Sequence, residues 1–165
     1  MARWVMFTDS CRYDLPEYNS KDVNKLFGLS FGVLPGIVNG KIEPPVHLNS
    51  ARFGWYYEKE TDTVVLVAYC YENGERNWNE QLEFPIVVRL KIGVPYHCFI
   101  YREQGGFRFA VFLDEGPNTW ATNTGGYYQS YAKMPPTYGI THSLYFGGTQ
   151  PAPQDIRVYI GKERP

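Results

Sequence analysis

Histidine and cysteine side chains are dispersed along this chain in a way that does not build a catalytic or metal site. His97 and Cys98 are adjacent in an apolar strand pattern, so their side chains point to opposite faces and cannot form a Cys-His pair. His47 lies in a proline-rich segment and His142 precedes a separate apolar run. Because no paired Cys or carboxylate spacing accompanies the three histidines, a zinc site is not predicted. The sequence predicts that the protein is not an enzyme.

The most distinctive polar segment, residues 118–138, combines aromatic rings with short amide and hydroxyl groups. Sugars present apolar C–H faces and hydroxyl groups, so ring stacking and amide hydrogen bonds would suit a glycan. Tyr and Trp also dominate protein interfaces, because they cover a large area at low entropic cost. A third interpretation is a long loop that packs its own rings on the domain. The candidate ligand-binding residues, for a glycan or a protein partner, are Trp120, Asn123, Tyr127, Tyr128, Tyr131 and Tyr138.

An acidic, oxygen-rich segment, residues 114–119, precedes these candidates. Calcium prefers oxygen ligands, but the segment lacks the regular ligand spacing of a calcium loop. An ordinary Gly-Pro turn is the main interpretation. No cofactor is predicted, and calcium held by Asp114 and Asn118 is the weaker alternative.

The elements that must position these side chains are short β-strands. Fourteen Tyr, ten Phe, sixteen Gly and twelve Pro are typical of many strands joined by tight turns. The clearest predicted strands, two of them flanking Gly105-Gly106, are residues 51–57, 63–71, 86–90, 96–101 and 107–113. A single helical turn is predicted at residues 20–25, and a closing strand pair at residues 145–146 and 155–160.

The spacing of the turn signals predicts an all-β fold, an antiparallel two-sheet β-sandwich of the jelly-roll type. One domain is expected over residues 1–165, with a core over about 20–161. The residues expected to be largely buried are Phe53, Trp55, Val65, Val67, Tyr69, Phe109, Val111, Tyr145 and Ile156.

Bulk properties limit the partners and the location. The net charge of −1 and the pI of about 6.3 give no electrostatic basis for binding nucleic acid or a membrane. Cys11, Cys70 and Cys98 are an odd number, and Cys70 and Cys98 are predicted to be buried free thiols. The N-terminal apolar run is too short for a signal peptide. We therefore expect a protein made in the cytoplasm, which a virion could carry out of the cell.

Several of these segments resemble known proteins. Residues 54–57, 68–74, 145–148 and 155–160 resemble concanavalin A-like lectin/glucanase (laminin-G-like) sandwiches. Residues 49–55 with residues 151–153 look like short uncharacterised proteins of gut bacteria and their phages, and the similarity spans about residues 20–161. The resemblance implies a jelly roll from a superfamily in which sugar binding, glycan hydrolysis and structural roles all occur.

The same resemblance raises a hydrolase hypothesis. Its catalytic members carry alternating carboxylates that act as nucleophile and acid/base about 5 Å apart. Glu58 and Glu60 alternate in this way, but Lys59 and Thr61 between them are typical of a solvated hairpin tip.

Three functional hypotheses follow. The first is a non-enzymatic structural or binding module, such as a phage virion or particle-surface component, that contacts a protein partner or forms a homo-oligomer. The alternative is a carbohydrate-binding, lectin-like protein that uses Trp120, Asn123, Tyr127 and Tyr128. The third is a glycan hydrolase that uses Glu58 and Glu60.

Overall fold

The computed structural model describes residues 1–15, 22–79, 83–113, 122–135, 138–147 and 151–165. Two large antiparallel sheets pack face to face, which confirms the predicted all-β sandwich. In chain order the strands are β1 (Ala2–Phe7), β2 (Asn24–Phe31), β3 (Gly36–Val38), β4 (Lys41–Glu43), β5 (Ser50–Glu58), β6 (Thr63–Glu72), β7 (Glu75–Arg76), β8 (Ile86–Lys91), β9 (Tyr96–Glu103), β10 (Gly106–Leu113), β11 (Thr122–Ser130), β12 (Gly139–His142) and β13 (Val158–Gly161).

Helical structure in the described residues is limited to a 3₁₀ turn at Asp9–Cys11 and one α-helical turn, α1 (Pro45–Leu48). Proline at the start of α1 suits the first helical position, where no backbone donor is needed. No helix in this part of the chain has the length and apolar content needed to cross a bilayer.

The first sheet, sheet A, has five strands in the order β11-β10-β9-β1-β13. Its central hairpin, β9–β10, pairs Glu103 with Gly106 across a turn in which Gly105 adopts a positive φ of 77°. Only glycine adopts this left-handed conformation readily, which explains the Gly-Gly signal in the sequence. β1 pairs with β9 on one side and with β13 on the other, so the first and last described strands are neighbours.

The second sheet, sheet B, has the order β12-β2-β5-β6-β7, and β8 also pairs with β6. β7 and β8 therefore share one side of the long strand β6 along successive lengths. The predicted hairpin β5–β6 forms with regular pairing from Ser50–Tyr71 to Glu58–Thr63. A separate small hairpin, β3–β4, turns at Asn39 and Gly40, both with positive φ.

Aromatic rings from both sheets fill the core. Phe53 of β5 meets Phe109 of β10 edge-on at 5.0 Å between centroids, and Trp55 meets Phe7 of β1 at 5.2 Å. These offset and edge-on pairs are the arrangements that the quadrupoles of aromatic rings favour. Seven of the nine residues expected to be buried have exposures of 5% or less: Phe53, Trp55, Val65, Val67, Tyr69, Phe109 and Val111.

Three sequence-based predictions are wrong or shifted. Tyr145 is 65% exposed, because only its backbone joins sheet B through a single bridge to Lys25, while Ile156 is partly buried. The closing strand begins at Val158 and pairs with β1. The predicted helical turn at residues 20–25 lies partly outside the described residues, and its end, from Asn24, begins strand β2.

Candidate functional site

The polar segment that the sequence singled out contains a strand, β11, at the edge of sheet A. Trp120 lies outside the described residues, as do the calcium candidates Asp114 and Asn118. Asn123 is exposed on β11, and its side-chain oxygen accepts a hydrogen bond from the backbone N–H of Gly125 at 3.1 Å. The interpretation as a loop is therefore wrong over Thr122–Ser130, because this segment pairs with β10 along its length, with one irregularity at Thr124.

The tyrosines of this segment have different surroundings. Tyr127 is paired with Phe109 and faces the core, while Tyr128, one residue on, lies on the outer face. The Tyr128 hydroxyl donates to the Gln104 carbonyl at 2.6 Å, and the Arg108 guanidinium lies 5.4 Å from its ring centroid. These two rings do not share one stacking surface.

Tyr131 and Tyr138 are also placed apart. Tyr131 is 6% exposed, and its hydroxyl donates to the Ser50 carbonyl at 2.7 Å, so its ring packs in the core. Burial raises the pKa of the Tyr131 hydroxyl well above its usual range. Tyr138 directly precedes β12 in the other sheet and is 63% exposed.

The outer edge of β11 pairs with no described strand. The backbone N–H of Tyr131 bonds to the Gly105 carbonyl at 2.9 Å, which sets the phase of the β10–β11 ladder. Because ladder hydrogen bonds alternate along an antiparallel strand, the backbone groups of Gly126, Tyr128 and Ser130 point away from β10. Gly126 and Ser130 are exposed, and the Ser130 carbonyl already accepts from Gln129 Nε2 at 2.8 Å. The outward N–H groups of these residues are therefore the donors that a further strand could use.

The other sheet edges are protected in ways that β11 is not. β12 and β13 have only four residues each, which limits pairing. β8 follows Pro85 and carries Arg89 and Lys91, residues that discourage a new strand. β11 has nine residues, TNTGGYYQS, with neither a charge nor a proline. The absence of charge over these nine residues is visible in the sequence and indicates an unprotected edge strand, but the sequence-based predictions considered only the aromatic rings.

The inner face of β11 packs tightly on the facing sheet. A Cβ added at Gly125 would lie 2.5 Å from the Cβ of Val88 and 2.6 Å from the Val87 carbonyl oxygen. Glycine is therefore required for this close approach of β11 to β8. The contact fixes the inner face of β11 while its outer edge remains open.

A cleft of about 320 Å³ lies beside the end of β11, at the lower end of the range for small-molecule sites. Its polar wall is pre-ordered, because the Asn77 side chain accepts from the Cys70 N–H at 2.9 Å and donates to Gln129 Oε1 at 2.8 Å. Glu72 Oε1 accepts from the backbone N–H of Ala132 at 2.6 Å. The cleft is lined by Cys70, Glu72, Asn73, Glu75, Arg76, Asn77, Gln129, Tyr131 and Ala132.

The hydrolase candidates lie elsewhere, at the β5–β6 hairpin. Glu58 accepts two hydrogen bonds from Arg89, at 2.8 and 3.0 Å, and a third from the Thr61 hydroxyl. Glu60 lies in the exposed turn that follows. Glu58 is therefore engaged as an ion-pair partner, and the hydrolase hypothesis stays a prediction.

The histidines are also separated. His97 stacks on Trp4 at 4.6 Å, His47 bonds to Glu43 at 2.8 Å, and His142 bonds to Ser30 at 2.9 Å. Over the described ranges, no three His, Cys, Asp or Glu side chains are grouped to hold a metal ion.

Comparisons with protein-family models, curated proteins and solved structures give no match for this chain. The resemblances to concanavalin A-like sandwiches and to phage-associated proteins therefore stay predictions.

Proposed function

We propose that this protein is a non-catalytic contact module that associates with a second copy of itself through the outer edge of β11. The observation that carries the proposal is the unprotected nine-residue edge strand. Pairing of two such edges would join the two A sheets into one continuous ten-stranded sheet. Backbone hydrogen bonds would supply the affinity, as in other cases of strand addition.

Self-pairing is favoured over a foreign strand by the chemistry of β11. A twofold axis places the residue at the axis opposite its own copy and brings a cluster of like charges near it together, and like charges across strands are destabilising. β11 carries no charged residue, so this penalty is absent. An antiparallel pair with its axis at Tyr128 would place Gly126 of one copy opposite Ser130 of the other. The outward N–H groups of Gly126, Tyr128 and Ser130 would then be paired, and the Ser130 carbonyl would exchange its bond from Gln129 Nε2 for one from the second copy.

Such a role fits a component of a symmetric particle, the setting expected from the sequence for a virion protein. The carbohydrate-binding alternative depends on Trp120, which lies outside the described residues. The edge-pairing proposal uses only β11 and is independent of that side chain.

The proposal is tested by measuring oligomeric state with analytical ultracentrifugation over a wide concentration range. We expect a dimer whose dissociation constant rises at least about tenfold in Ser130→Pro, which removes an outward N–H. Tyr128→Lys, which places two ammonium groups near the axis, should dissociate the dimer further and more strongly at low salt.

A matched control is Thr141→Lys, an exposed position on the β12 edge of sheet B, which should leave the dissociation constant unchanged. Circular dichroism checks that each variant keeps its sheets. A wild-type protein that stays monomeric at every concentration would overturn the proposal. So would a dimer that is equally strong in Ser130→Pro and Tyr128→Lys.

A further inference from the structure

The outer face of sheet B collects three cationic side chains around two tyrosine rings. Lys25 Nζ lies 4.6 Å from the centroid of Tyr69, and the guanidinium of Arg52 lies 4.8 Å from the same ring. Arg52 also approaches Tyr71 at 5.9 Å, and Arg76 lies 5.7 Å from Tyr71. Cation–π contacts partly compensate the removal of these charges from water. They do not supply an opposite charge.

Arg52 is the central member and is 6% exposed. Its Nε and Nη2 atoms are buried and reach no hydrogen-bond acceptor among the residues that the structure describes. These two nitrogens form the edge of the guanidinium that binds a carboxylate or phosphate with two parallel hydrogen bonds. A buried donor without a partner is costly, and more so when it is charged. The Nε–Nη2 edge of Arg52 therefore has the donor arrangement that binds an oxyanion.

A further unpaired donor lies beside Arg52. Ser50 is two residues earlier on β5, so its side chain projects from the same face of the sheet. The Ser50 hydroxyl is buried and also reaches no hydrogen-bond partner. The outer face of β5 thus carries three unpaired polar atoms on two neighbouring side chains, Ser50 Oγ and Arg52 Nε and Nη2.

The neighbouring cations have local hydrogen-bond partners, and Asp22 provides Lys25 with a nearby opposite charge. Lys25 Nζ donates to the Val23 carbonyl at 2.8 Å, and Arg76 Nε donates to the Tyr71 hydroxyl at 2.7 Å. Neither acceptor is a carboxylate, and none of the three cations forms an ion pair with a carboxylate in the described ranges. Burial lowers the pKa of Lys25 to about 8, and Arg52 and Arg76 push it in the same direction. The cluster therefore carries mutual repulsion that an anion would relieve.

We propose that this face of sheet B is a binding site for an oxyanion group, a phosphate, sulfate or carboxylate, held by Arg52 and Ser50. Two ligand oxygens accept from Arg52 Nε and Nη2, and Ser50 Oγ donates to the same group. Lys25 and Arg76 add long-range attraction. Since the unpaired nitrogens are covered, the ligand enters by displacing a neighbouring side chain. The site lies on sheet B and does not involve the β11 edge of sheet A.

The test is a titration of the wild-type protein with sodium phosphate against sodium chloride at equal ionic strength. The Arg52 Nε–H resonance, observed by ¹⁵N NMR, should shift in a saturable way with phosphate and not with chloride. This readout requires no variant that could fail to fold. Isothermal calorimetry gives the affinity, and acetate, glucuronate and glucose 6-phosphate distinguish a free ion from an oxyanion on a larger molecule.

Three variants locate the site. Arg52→Lys keeps the charge and loses the two-pronged edge, so phosphate affinity should fall at least about tenfold. Ser50→Ala should weaken phosphate binding severalfold. Arg108→Lys is the matched control, because Arg108 is partly exposed, pairs with Glu103 at 2.7 Å and lies on sheet A. The proposal is overturned if phosphate and chloride shift the Arg52 resonance equally, or if Arg52→Lys binds phosphate as the wild type does.

Discussion

Two buried polar side chains on adjacent strands of sheet B differ in how their hydrogen bonds are met. The Asn24 amide donates to the Tyr13 hydroxyl at 3.0 Å and accepts from the Gly147 N–H at 2.7 Å. Asn24 therefore joins three distant segments of the chain and has the contacts of a structural residue. Arg52 is equally enclosed but has two unpaired nitrogens. The hydrogen bonds of Asn24 are thus satisfied within the fold, whereas the donors of Arg52 are not.

At the residue scale, Phe53 and Tyr145 test which rings hold the core. Phe53 is fully buried against Phe27 and Phe109, whereas Tyr145 is 65% exposed. Phe53→Ala should lower the free energy of unfolding by about 3–5 kcal/mol, because it leaves a cavity. Tyr145→Ala, the matched control, should cost less than about 1 kcal/mol. Urea denaturation measures both, and equal losses would contradict the assigned burial.

At the element scale, the absence of a side chain at Gly125 allows β11 to pack closely against β8. A methyl group at Gly125 meets Val88 and the Val87 carbonyl, while one at Gly126 meets only the Phe109 carbonyl oxygen at 3.1 Å. Gly125→Ala should therefore destabilise the protein by about 1–3 kcal/mol, since β8 and β11 must separate. Gly126→Ala should cost clearly less. Guanidinium denaturation measures the difference, and a larger loss for Gly126→Ala would refute this account of the sheet contact.

The hairpins could be predicted from the sequence, and the reasons are local. Strands β5 and β6 are dense apolar runs, β9 and β10 alternate, and their turns carry residues suited to positive φ, so the predicted bounds of each agree within a residue or two. β11 escaped prediction because TNTGGYYQS has no apolar alternation, and pairing with β10 decides its conformation.

The candidate sites were predictable only in part, for the same reason. Asn123, Tyr127 and Tyr128 were singled out and do lie on β11, but the strand separates their faces. Arg52 was not among the predicted site residues, although a single charge within the apolar strand SARFGWYYE indicates a position with a special environment. Its unpaired state depends on Lys25 and Tyr69 from other strands, which no local pattern reveals.

At the scale of the whole molecule, three free thiols make the fold sensitive to alkali. Cys11, Cys70 and Cys98 are all buried and unpaired. Burial raises the pKa of Cys11 to about 11 and that of Cys70 to about 12, from a usual value of 9.0, and also raises that of Cys98. Above pH 9 the unfolded chain loses protons that the folded chain keeps. The thiols therefore leave the free energy of unfolding unchanged below pH 9 and lower it as the pH rises toward 12.

The expected slope can be measured with one variant. Each fully buried thiol contributes a loss of about 1.4 kcal/mol per pH unit above pH 9. Lys25, whose pKa is lowered from 10.5 to about 8 in the folded protein, opposes this loss, because between these pH values the unfolded chain holds a proton that the folded chain has released. Cys70→Ala should therefore make the fall between pH 9 and pH 11 shallower. Val65→Ala, a buried control without a thiol, should keep the wild-type slope, and a slope unaltered by Cys70→Ala would contradict this account.

The position of β1 between β9 and β13 has a consequence for the nascent chain. One side of β1 can pair once β9 has been synthesised, but Trp4 meets its partner Gly161 only after β13 has emerged. Until then the ribosome-bound polypeptide presents an incomplete sheet with an apolar strand at its border. Contacts of such long sequence separation form slowly, and unfinished strands are prone to aggregate. Sheet A is therefore expected to close late in folding, in a step that chaperones would protect.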